Sequence, residues 1–300
     1  MVSKVPVAPE GLELSRIILG MWRLADQDLS TDQVIELIEY SQSLGVTSFD
    51  HADLYGDYTC EGIFGKALKE KPALRDDMQI ISKCGIKLIS KNRLEHEVKY
   101  YDTSKAHITW SVENSLKELN TDRLDLLLIH RPDPLTDPDE VAEAFVSLQT
   151  SGKVLHFGVS NFTPSQFDLL QSRLPMPLVT NQIELSLIHS DPFFDSSVDH
   201  MYQHHVAPMA WSPLAGGRLF GTDTQAIALR EKIETLAGKY NCSIDQILIA
   251  WLLRHPSGVL PVIGTGKLER IKSAAGALSI ELNRQDWFRM LEWARGEEVP

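Results

Sequence analysis

Eight short apolar runs rich in Val, Ile and Leu punctuate the chain: RIILGMW, VTSFD, MQIISK, LDLLLIH, VLHFGVSN, LVTNQIE, VAPMAWS and VLPVIGTG. Their length and β-branched content suit buried strands. Between them lie amphipathic stretches with apolar residues three and four apart, such as STDQVIELIEYSQSLG, SKAHITWSVENSLKELN and DPDEVAEAFVSLQTSG, which read as helices. Ser30 or Thr31, Asp137 with Pro138, and Thr163 with Pro164 signal helix starts, while Gly45 and Gly152 mark ends. Strand and helix alternate throughout the 300 residues without a linker or a break in composition. That order predicts an α/β fold, a closed (β/α)8 TIM barrel, as one domain over residues 1–300 with a C-terminal tail. An open doubly wound sheet would carry a glycine-rich dinucleotide fingerprint after its first strand, where GMWRLADQ stands instead.

Composition narrows the function. A hydrophobic content of 43% with 23% charged residues is ordinary for a soluble globular protein, and no run approaches the ~20 apolar residues of a membrane span. MVSKVPVAPEG has neither the apolar core nor the cleavage site of a signal peptide, so a cytoplasmic location is expected. Cys60, Cys84 and Cys242 stand singly, which argues for reduced thiols and against a cysteine zinc site. A net charge of -12 and the lack of a basic stripe argue against nucleic acid. An anionic ligand therefore needs a local cationic pocket.

In a barrel, polar residues at the C-terminal ends of the strands face the active-site rim, where Asp50, Lys83, His130, Asn161, Gln182 and Ser212 fall. The run GVTSFDHADLY adds Tyr55 just past Asp50, and Lys83 follows in IISKCG. A phenol of pKa about 10 is a poor acid at neutral pH, and a neighbouring ammonium stabilises its phenolate. With His130 as a second donor, the four groups can converge on one oxygen. At the other end of the chain, a turn at Gly264 to Gly266 leads into a helix start with Lys267 and Arg270, an arrangement suited to a phosphate. His200, His204 and His205 have spacing that invites a metal, but no carboxylate or cysteine nearby completes a recognisable set, and the segment MYQHH reads better as the solvated end of a helix, so no metal is expected.

These residues resemble the aldo-keto reductase family over nearly the whole chain. Asp50, Tyr55, Lys83 and His130 match its catalytic tetrad in type and order, supported by GKVLHFGVSNF, TNQIELS, MAWSPLAGGRL and VLPVIGTGKLER. The resemblance implies a nicotinamide coenzyme and a small carbonyl substrate, with Tyr55 as proton donor, Lys83 lowering its pKa, Asp50 pairing with Lys83, and His130 orienting the carbonyl. It implies that Ser160, Asn161 and Gln182 hold the carboxamide and that Trp211 stacks on the nicotinamide ring; Trp22, an amphipathic aromatic, is read on its own as lining the pocket. Ser212, Pro213, Leu214, Gly216, Gly217, Arg218 and Leu219 match the segment over the pyrophosphate. Gly264, Thr265, Lys267 and Arg270 match the adenosine-phosphate clamp, and the two cations favour NADPH over NADH.

Two departures stand out. Glu61 lies six residues after Tyr55 rather than four, and Arg131 replaces the tryptophan that often follows the histidine. Arg131 predicts a substrate with a carboxylate or phosphate. These features together predict an NADPH-dependent aldehyde or ketone reductase, monomeric or weakly self-associating. The alternatives are a coenzyme-binding regulatory module and, less consistent with the residues, a metal-dependent barrel hydrolase.

Overall fold

The computed structural model describes residues 1–9 and 11–298. Eight parallel strands, β1 (Ile18–Gly20), β2 (Ser48–Asp50), β3 (Gln79–Cys84), β4 (Leu124–Ile129), β5 (Val154–Ser160), β6 (Leu178–Glu184), β7 (Met209–Trp211) and β8 (Leu260–Ile263), close into a barrel in chain order, with β8 pairing back to β1. The apolar runs become strands because both faces are covered. Along β4, Leu126 and Leu128 pack with Ile18 and Ile81, whereas Leu127 and Ile129 join Phe64, Ile108 and Phe145. That is the period of two expected of a strand between a packed barrel interior and a helical layer.

The outer layer contains α1 (Thr31–Ser43), α2 (Cys60–Glu70), α3 (Lys105–Leu119), α4 (Pro138–Thr150), α5 (Pro164–Gln171), α6 (Ser197–Gln203), α7 (Thr224–Lys239), α8 (Ile244–Leu253) and α9 (Leu268–Gly276). Ser30 and Thr163 cap α1 and α5 in reciprocal boxes with Gln33 and Gln166, and Asp137 caps α4. Gly45, past the end of α1, has φ of 84°, and a Cβ there would lie 2.2 Å from the Val2 carbonyl oxygen.

Three features go beyond the sequence reading. An antiparallel ribbon of Lys4–Pro6 and Glu13–Ser15 closes the N-terminal end, where Ser15 N–H donates to Ser48 Oγ at 2.9 Å and Ala207 N–H to the Val7 carbonyl at 2.8 Å. A second ribbon, Ile86–Lys87 with Tyr100–Tyr101, stands in the long connection after β3. The third lies in the expected C-terminal tail: Arg284–Arg295 forms a helix, α10, packed against α7 and α8. Trp287 stacks on Trp251 at 4.8 Å and 7°, and each indole N–H donates to the other's backbone carbonyl. Asp286, with a side chain only 1% exposed, accepts from Lys239, Tyr240 and Asn283 and pairs with Arg289. Among the described residues, no helix is long and apolar enough to cross a membrane.

Candidate active site

Parallel register gathers the predicted polar residues at one rim. Asp50 ends β2 opposite Gly20 and Ile81, Lys83 lies opposite Leu128, and His130 follows β4 with its N–H donated to the Cys84 carbonyl at 2.9 Å. Tyr55 sits on a tight turn, its N–H donated to the Ala52 carbonyl. Gly56 next to it has φ of 58°, and a Cβ there would lie 2.5 Å from Cys60 Sγ and 2.6 Å from Ala25 Cβ. Glycine thus lets the Tyr55 turn nest against α2.

Lys83 is the hub. Its buried ammonium reaches Asp50 Oδ2 at 2.7 Å, the His51 carbonyl at 2.8 Å and Tyr55 Oη at 3.0 Å, so all three hydrogens have acceptors. The other carboxylate oxygen of Asp50 accepts from Gln182 Nε2 at 2.9 Å. His130 stands edge-on to Tyr55, with ring centroids 5.8 Å apart.

The electrostatics follow from burial with one dominant cation. Burial pulls the Lys83 ammonium downward, but Asp50 and Tyr55 outweigh it and raise its pKa, so Lys83 stays charged. For Tyr55 burial dominates and raises the phenol above its ordinary value, with Lys83 pulling the other way. Lys83 thus acts on this phenol in the expected direction, while burial outweighs it and the resting phenol keeps its proton. Burial, then Lys83, Arg131 and Lys99, pushes His130 well below the usual imidazole range, leaving it neutral. Its Nδ1 is buried without a protein partner.

The positions matched to the carboxamide form one connected network. Trp211 Nε1 donates to Asn161 Oδ1 at 2.9 Å, Asn161 Nδ2 to Ser160 Oγ at 2.7 Å, and Ser160 Oγ to the Gln182 carbonyl at 2.8 Å. Asn161 and Ser212 adopt left-handed φ of 59° and 51° as the chain leaves β5 and β7. Arg131 lies over the Trp211 ring, 5.5 Å from its centroid, and Trp22 is 56% exposed with Arg23 over its face.

In the segment after β7, Gly216 and Gly217 have φ of 63° and 89°, and no heavy atom lies within 4 Å of where a Cβ would project. Pro213 and Leu219 are buried and Leu214 packs against the core, so these side chains belong to the wall. Arg218 is engaged with Glu184 at 3.3 Å. After β8, Gly264 faces open space, while Gly266 lies against Gln27, whose Oε1 would be 1.5 Å from a Cβ. Thr265 Oγ1 accepts the Lys267 N–H at 3.1 Å, tying down the turn that starts α9. Among the described residues, neither Lys267 nor Arg270 has a carboxylate within 4.0 Å.

Some participants escaped the sequence reading. His51 serves through its carbonyl, which no side-chain pattern reveals. Glu61, read only as a departure, is 4% exposed and accepts at 2.6 Å from the Oγ of Ser82, the residue before Lys83 on β3. Burial, partly opposed by the Ser82 hydrogen bond, raises its pKa to about 7. Asp53 accepts from Ser111 Oγ at 2.7 Å, and burial raises it to about 6. Two carboxyls on otherwise buried faces were the available signal. The sequence reading also missed Asp168, which the fold brings to His200 and His204, so a carboxylate does lie beside those histidines.

The Aldo/keto reductase family matches residues 16–294. The chain belongs to that family. It is 51% identical over 301 residues to oxidoreductase YdhF of Escherichia coli (strain K12), with 100% of both chains covered. It is 48% identical to a 6-dehydroglucose reductase of Agrobacterium fabrum, over 96% of this chain and 97% of that one. Among solved structures, the thermostable aldo-keto reductase Tm1743, crystallised with the inhibitor epalrestat, superposes with a TM-score of 0.82 at 26% identity, covering 97% of this chain and 99% of the other. This member of the family is thus an oxidoreductase on the (β/α)8 frame.

Proposed function

We propose that this family member reduces an aldehyde or ketone to an alcohol with NADPH, using Tyr55 as the proton donor. The observation carrying this reading is the Lys83 hub, which ties a buried charged ammonium to Asp50 on one side and to the Tyr55 hydroxyl on the other. When bound, the coenzyme supplies the hydride. Tyr55 gives its proton to the carbonyl oxygen as charge develops there, and the ammonium 3.0 Å away stabilises the phenolate left behind. Asp50 keeps Lys83 charged and is itself held by Gln182. His130, neutral, donates a hydrogen bond to the same carbonyl oxygen without competing for the proton.

The residues fit a dinucleotide. The Ser160–Asn161–Gln182 network offers amide and hydroxyl groups for a carboxamide, and Trp211 offers an aromatic face. The left-handed glycines leave room for close backbone approach to a pyrophosphate. Lys267 and Arg270, without acidic partners among the described residues, are suited to a 2′-phosphate, and this supports NADPH over NADH.

Arg131 favours a substrate bearing a carboxylate or phosphate, because it adjoins His130 and its guanidinium can grip such a group at two points. Arg131→Ala should lose activity on anionic aldehydes selectively; equal losses on charged and neutral aldehydes would remove this role.

The reading is tested by following NADPH oxidation with a panel of aldehydes, 6-dehydroglucose included, for wild type and Tyr55→Phe, beside fluorescence titrations of NADPH and NADH. Lost turnover with retained binding in Tyr55→Phe is expected. Binding without turnover in either protein would favour a coenzyme-sensing module instead.

A further inference from the structure

We propose that Asp168, His200 and His204 form a divalent-metal site of the zinc class on the outer wall of the barrel, linking α5 to α6. The donors come from two elements. Asp168 lies within α5, while His200 and the C-cap residue His204 stand four apart on α6, so their rings share one face. Asp168 Oδ1 is 2.8 Å from His200 Nε2 and 3.6 Å from His204 Nε2, and the three donor atoms lie within 4.8 Å of one another. A tetrahedral Zn²⁺ with bonds of about 2.0–2.2 Å separates its donors by roughly 3.3 Å, a value that falls between the two distances from Asp168 Oδ1 to the histidine nitrogens.

The chemistry agrees with the geometry. Two imidazoles and one carboxylate are a three-ligand zinc set that leaves one position for water. Nitrogen donors also select the borderline metals over Mg²⁺, which prefers oxygen. An ion pair would need one histidine, whereas here the Nε2 atoms of two rings, with centroids 4.6 Å apart, converge on one carboxylate. Phe167, buried in the core, packs edge-on to His200 at 5.3 Å and against His204 at 6.1 Å, which limits the orientations open to both rings. The His200 side chain is 11% exposed and that of His204 41%, so one ligand is anchored while the other opens the site to incoming metal. The protein's charge of -12 adds a general attraction for cations.

The site is separate from the Lys83 rim, so its test needs no turnover. Full-length protein, stripped with chelator and exchanged into metal-free buffer at neutral pH, is titrated calorimetrically with ZnCl₂ and, separately, with MgCl₂. The expected result is one saturable Zn²⁺ equivalent, no Mg²⁺ binding, and a Tm that rises with Zn²⁺. Asp168→Asn and His204→Ala should each weaken Zn²⁺ at least tenfold, while Cys242→Ser, which removes a half-exposed thiol elsewhere, should leave it unchanged. Co²⁺ should develop visible absorption bands of a four-coordinate ion in wild type and lose them in Asp168→Asn. Absence of a saturable Zn²⁺ equivalent, or unchanged binding in both the exposed-side variant His204→Ala and the near-isosteric Asp168→Asn, would overturn the site and leave an ion pair alone.

Discussion

Lys83→Met probes the centre of the site most directly. The side chain it replaces is fully buried and its three hydrogens go to Asp50, the His51 carbonyl and Tyr55. Methionine fills similar volume without charge, so the main effect is electrostatic. Asp50, 2% exposed, would keep only Gln182 as a donor. Stranding one partner of a buried ion pair costs about 3–5 kcal/mol. At roughly 2–4 °C per kcal/mol, the factor for domains of about 150–250 residues, Tm should fall by roughly 6–20 °C. Turnover should fall by at least ~100-fold, since the phenolate left by proton donation loses its counter-charge. The informative protein is the double variant Asp50→Asn/Lys83→Met. Its neutral amide can still accept from Gln182, so most of the lost Tm should return while turnover does not. Thermal denaturation and NADPH oxidation on the three proteins read both quantities. A double variant as unstable as Lys83→Met, or a single variant within about 2 °C of wild type, would refute the view that Lys83 neutralises a stranded Asp50 charge.

Lys267→Ala and Arg270→Ala should each weaken NADPH by about tenfold or more and leave NADH nearly unchanged, because a charge-assisted hydrogen bond is worth about 1.5–3 kcal/mol; fluorescence titration of both coenzymes decides it. Glu61 contributes a pH dependence of definite sign. Its folded pKa, raised from 4.5 to about 7, means that the folded state binds the extra proton, so stability is highest at low pH and falls as pH rises from about 4.5 through 7. The loss is on the order of 3 kcal/mol, and Glu61→Gln should flatten this part of the curve in denaturant titrations at several pH values. Gly65→Ala should destabilise strongly, because its Cβ would lie 1.9 Å from the Glu118 carbonyl where α2 meets α3; a Tm within about 2 °C of wild type would contradict that contact.

Much of this protein was legible in its one-dimensional pattern. The eight strands and the caps at Ser30, Asp137 and Thr163 depend on local periodicity and local hydrogen bonding, which neighbouring residues determine. Asp50, Lys83 and His130 were readable because a parallel barrel sends the end of every strand to the same rim. Tertiary structure decided the rest. That the phenol stays protonated at rest depends on how deeply Tyr55 is buried relative to one ammonium, a balance no spacing expresses. The helix at Arg284–Arg295 is held by Trp251, Lys239 and Tyr240 from earlier in the chain, so its amphipathic face had no visible partner in the sequence. Asp168 lies 32 residues before His200, and only the packing of two consecutive outer helices brings them to one point. Alternating elements determine which residues share a rim; burial and long-range contacts determine which of them carry charge and which touch.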